Sequence, residues 1–74
     1  MDNNRELDQE EVRQRLNEFR AREELTIRKL GSMLELSKDY LGQFLRGKLD
    51  VSDKLLRHMD NLMNTYKVEY SLRG

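Results

Sequence analysis

Apolar residues recur along this chain at helical spacing, and short polar breaks divide them into four segments. Val12, Leu16 and Phe19 stand three to four residues apart behind Asp8-Gln9-Glu10-Glu11. An acceptor followed three positions later by Glu has the form of a capping box, so a first helix of roughly three to four turns is predicted there. Leu25 closes the segment by reaching back into the same core. Thr26 is a good N-cap for a short second helix in which Ile27, Leu30 and Leu34 share a face. Gly31 lies inside that helix, where glycine costs about 1 kcal/mol relative to alanine and so needs a reason, usually the close approach of another backbone.

Glu35-Leu36-Ser37 is a tight break, and Ser37 is placed to cap a third helix from Lys38 to Arg46. Leu41, Phe44 and Leu45 face inward in it, Tyr40 stands at the margin, and Gly47 is a natural residue to stop it. Beyond Lys48-Leu49-Asp50-Val51, Ser52 caps a fourth helix carrying Leu55, Leu56, Met59, Leu62 and Met63, with Tyr66 open to either this helix or the tail. The period then changes. Tyr66, Val68, Tyr70 and Leu72 alternate with Lys67, Glu69, Ser71 and Arg73, which reads as a short strand, with a fraying helix end as the alternative. The prediction is an all-α domain of four helices over residues 8–64, an N-terminal arm over 1–7 and a tail over 65–74.

A chain of 74 residues supports one small core, and neither an internal repeat nor a Ser/Gly-rich linker divides it. With no Cys and one His there is no disulfide and no credible zinc ligand set, so neither metal nor cofactor is expected. A core this small gains from a partner chain, and a homodimer is the expected form. The first eleven residues are polar, and no apolar run approaches the roughly 18 residues of a membrane span, so a cytoplasmic location is expected.

The formal net charge is zero, which by itself weighs against a nucleic-acid binder. Its distribution changes that picture. From Thr26 to Lys48 the bases Arg28, Lys29, Lys38, Arg46 and Lys48 face only Glu35 and Asp39, whereas from Asp8 to Glu24 six acids face the four bases Arg13, Arg15, Arg20 and Arg22. A molecule polarised in this way is able to meet a polyanion with one face.

The stretch from Thr26 to Arg46 resembles the helix-turn-helix of the phage repressor/Cro (XRE-like) family, and the resemblance extends to about Met63. Leu30, Leu34, Leu36, Leu41 and Phe44 match its apolar positions, and Gly31 matches the small residue where the two helices cross. Ser37 and Ser52 match caps, and Arg46-Gly47-Lys48 resembles a basic, glycine-containing exit. The physics stands apart from the name. A buried turn residue fixes the angle between two short helices, and the outer face of the second is left to enter the major groove. Three positions depart from the family pattern. Glu35 stands where glycine is common, Ile27 where Gln often contacts a phosphate, and Asp39 on the face expected to meet DNA.

The resemblance implies a lambda-repressor-like fold and a sequence-specific regulator of transcription, a repressor in the type members, that binds double-stranded DNA as a dimer. The expected base contacts are Lys38, Asp39, Gly42 and Gln43. Of these, Gln43 suits adenine and Asp39 a cytosine amino group. The expected phosphate contacts are Arg28, Lys29, Ser37, Tyr40, Arg46 and Lys48, with guanine as the alternative partner for Arg46 as for Lys38. Dimerisation is assigned to Tyr66, Val68, Tyr70 and Leu72, whose open strand edge a second copy would pair. The rival reading is a helix-turn-helix that has lost DNA binding and serves as a protein partner of another regulator; Ile27, Glu35, Asp39 and the zero net charge favour it.

Other features read as structure. His58 is a lone histidine, and Met33, Met59 and Met63 read as core filler. Glu11–Arg15 and Glu18–Arg22 read as i,i+4 surface pairs. No nucleophile–base pair or phosphate-cradling glycine loop is visible, so no enzyme is expected.

Overall fold

The computed structural model describes residues 7–66, and four helices account for most of them: α1 (Gln9–Arg22), α2 (Ile27–Leu34), α3 (Lys38–Leu45) and α4 (Asp53–Tyr66). The caps fall where the sequence places them. Asp8 accepts from the Glu11 amide at 3.0 Å, Thr26 from Lys29 at 2.9 Å, Ser37 from Tyr40 at 3.2 Å and Ser52 from Leu55 at 3.2 Å. Each satisfies an amide that the first turn of a helix leaves without a backbone partner.

The first three helices end alike. At each C-terminus one residue turns to positive φ and two amides reach back, as when Leu36 donates to Gly31 and Glu35 to Ser32. Gly47 holds this position after α3 with φ +79°, and Lys48 donates back to Gln43. After α1 and α2 the left-handed residues are Glu24 and Glu35, at φ 57° and 61°. Side chains with a Cβ are strained there. The turn after α2 is left-handed at Glu35 despite that cost.

The core joins Val12, Leu16 and Phe19 of α1 to Leu30 and Leu34 of α2, Leu41, Phe44 and Leu45 of α3, Val51, and Leu56 and Met59 of α4. Leu25, Leu36, Leu55, Leu62 and Met63 pack against it partly buried. Leu7, which the pattern assigns to the arm, also packs on this core, at the residue before the N-cap where an apolar staple belongs. Helix α1 lies against α3 and α4, and α2 against the same two.

Among the described residues there are four helices and no strand, which makes this an all-α domain. Tyr66 corrects the expected tail: it is the last residue of α4, and its ring meets Phe19 edge-on with centroids 4.9 Å apart. The alternation beginning at Tyr66 is outweighed at that residue by aromatic packing within the chain. The expected boundary after Asn64 consequently falls inside a helix. Val68, Tyr70 and Leu72 lie outside the described residues. No described helix is long and apolar enough to cross a membrane.

Candidate nucleic-acid interface

Gly31 and Gly42 both interrupt helices, for different reasons. A Cβ at Gly31 would stand 2.7 Å from the carbonyl oxygen of Leu36, a backbone atom with nowhere to go. The close approach predicted from sequence is therefore real, and it is made by the turn after α2 folding back on its own helix. Leu36 then packs inward and fixes where α3 begins.

Helix α3 buries Leu41, Phe44 and Leu45, and steps of roughly 100° per residue turn Asp39, Gln43 and Arg46 to the opposite side, with Gly42 on the flank and Lys38 in the first turn nearer the buried edge. Lys38, Asp39, Gln43 and Arg46 are exposed as expected, and Tyr40 stands at the margin, 38% exposed. Gly42 is the correction. Expected as an open base contact, it is buried, because the Arg46 side chain lies across it. A Cβ at 42 would sit 3.2 Å from an Arg46 guanidinium nitrogen, the movable end of a long side chain.

The stripe is not uniformly positive. Lys38 Nζ lies 3.2 Å from the carboxylate of Asp39, with both side chains exposed, so the pair contributes little to stability. Among the described residues the Arg46 guanidinium has no hydrogen bond or ion pair. Ser37 Oγ is already engaged as the cap of α3. Lys48 is exposed beyond Gly47, and Arg28 and Lys29 are exposed in the first turn of α2. No hydrogen bond or ion pair among the described residues joins Arg28 or Lys29 to the α3 stripe.

What holds α3 in place was missed in the sequence. Gln9, Arg13 and Asn17, four residues apart along α1, form a polar ladder beside the apolar stripe. Gln9 donates to the Val51 carbonyl at 2.7 Å and accepts from the Val51 amide at 3.1 Å. Asn17 donates to the Leu45 carbonyl at 3.1 Å. Arg13, only 6% exposed, donates to the carbonyls of Phe44 and Leu49 and to the carboxylates of Glu10 and Asp50. Its guanidinium also stands over the Phe44 ring, 4.7 Å from the centroid.

Burial opposes the charge on Arg13, but the hydrogen bonds to Asp50 and Glu10 outweigh it and hold the pKa above its ordinary value. The cation thus faces the carbonyl end of α3, where a helix dipole favours positive charge. The signal was the i, i+4, i+8 spacing of amide and guanidinium side chains. It passes for a solvated face because surface polar residues repeat in the same way.

The surface pairs read along α1 are partly replaced by contacts elsewhere. Arg15 reaches Asp60 of α4 at 2.8 Å, Glu18 accepts from Gln14, and Arg22 approaches Glu23 at 3.5 Å. An open groove of about 250 Å³ lies between α1 and α4, lined by Arg15, Glu18, Phe19, Arg22, Met63 and Asn64. Among the described residues no group of three or more His, Cys, Asp or Glu is placed to hold a metal. No family model matches the chain, and neither a curated protein nor a solved structure matches it.

Proposed function

We propose that this chain is a sequence-specific double-stranded-DNA-binding regulator of transcription, in which α2, the Glu35–Ser37 turn and α3 form a helix-turn-helix and α3 enters the major groove. The observation that carries the reading is the outer face of α3. Side chains able to donate and accept stand along it around a glycine that the fold does not require. Alanine at 42 would displace only a flexible guanidinium and would favour the helix. A protein that keeps glycine there forgoes stability for what that face meets. The basic residues Lys38, Arg46 and Lys48 supply the attraction to phosphate, and Gln43 has the amide that pairs with adenine.

One recognition helix covers few base pairs, so the active species is a dimer spanning two half-sites roughly 34 Å apart. Selection from random duplex DNA with the full chain tests the reading, because it requires binding and recovers a site together. A shared sequence among the recovered duplexes is the expected result. A stable protein that enriches none would favour the second reading, a helix-turn-helix that docks on another protein. The exposed carboxylate of Asp39, which interrupts the positive face, supports that alternative.

A further inference from the structure

Arg46 ends α3, and a helical side chain leans toward the N-terminus, so it reaches back over the turn before it. That turn contains Gly42. An ideal Cβ there would lie 3.2, 3.8 and 3.8 Å from the two terminal nitrogens and central carbon of the guanidinium. The glycine therefore forms a shelf against which the guanidinium lies, one turn back along α3. Among the described residues no carboxylate or carbonyl engages it. An unpaired, planar fork of donors lying there matches the two acceptors of a guanine edge, O6 and N7.

We infer that Arg46 is a specificity-determining residue seated by Gly42, and that of the two partners its sequence position allows, phosphate and guanine, it reads guanine. This rests on the DNA-binding reading above and adds one base to it. Gly42 is then a positioning residue. The absent Cβ lets the guanidinium lie close to the helix, and any side chain there lifts the fork out of register.

The two roles for Arg46 differ in what they leave behind. A base reader loses preference at one base pair when removed, whereas a phosphate contact weakens all sequences alike and lowers the salt slope by about one. The test is a cycle between protein and DNA, using the duplex recovered by selection with the full chain. Affinity is measured for wild type, Arg46→Ala, Gly42→Ala and Lys48→Ala, on that duplex and on duplexes with each guanine of the half-site replaced in turn.

Wild type is expected to lose about tenfold or more at one guanine. Arg46→Ala and Gly42→Ala should lose nothing further there, while Lys48→Ala keeps the full preference. Gly42→Ala retains every charge, so its relaxed preference could not arise from a lost phosphate contact. Preference intact in Arg46→Ala, with uniform weakening and a shallower salt slope, would overturn the inference and leave DNA binding standing. A wild-type chain that selects no duplex at all would overturn both.

Discussion

Glycine and glutamate at particular positions set up opposite outcomes for similar substitutions. Gly31→Ala drives a Cβ onto the Leu36 carbonyl and should cost about 1–3 kcal/mol despite the better helix propensity of alanine. Gly42→Ala meets only the end of Arg46 and should gain about 0.5–1 kcal/mol. Glu35→Gly relieves a left-handed residue and should gain up to about 1 kcal/mol, part of the relief being offset by the freer unfolded chain. Urea midpoints at constant slope measure all three. Equal losses at Gly31 and Gly42 would mean that both glycines serve the fold, and the special status of the α3 face would go.

Among the elements, α1 sets the position of α3 through carbonyls more than through charge pairs. Arg13→Leu takes the donor from the Leu49 carbonyl and one of two donors from the Phe44 carbonyl, which keeps the Gly47 amide, and should cost about 2–3 kcal/mol. Its two carboxylate partners are 79% and 71% exposed, so Glu10→Ala and Asp50→Ala should each cost under about 1 kcal/mol. Losses at Glu10 or Asp50 as large as at Arg13 would show that the ion pairs dominate. The helices themselves were legible because caps and apolar spacing agree at Asp8, Thr26, Ser37 and Ser52. The ladder was not, since Arg13 looks from sequence like any arginine of a charged helix. Only the folded chain brings it against residues 31, 36 and 37 positions away. Gly42 was read as an open base contact and is covered instead, because a one-dimensional pattern does not say where a neighbouring arginine comes to rest.

Across the whole molecule, zero net charge and a basic outer face make opposite forecasts for binding to a polyanion. If binding runs through Lys38, Arg46 and Lys48, affinity for duplex should fall steeply between roughly 50 and 200 mM salt. Equal affinity at both would sink the electrostatic part of the proposal. The dimer is tested by sedimentation of the full chain at micromolar concentration. The truncation that isolates the tail must now follow Tyr66, since cutting after Asn64 also removes the ring packed on Phe19. The shorter chain should sediment as a monomer with its helical content kept; if it still dimerises, the interface lies among residues 1–66.

The exchange of two hydrogen bonds between Gln9 and Val51 makes one amide a reporter. Val51 lies outside every helix, yet its N–H is held by a side chain 42 positions away, so its protection from hydrogen exchange depends on α1 remaining docked. Amides within α3 are held by their own helix and register a different event. Two exchange rates, read in one experiment, therefore separate undocking of the first helix from melting of the third. If the proposed recognition helix depends on α1 for its pose, duplex binding should slow exchange at Val51, a buried site outside the proposed contacts.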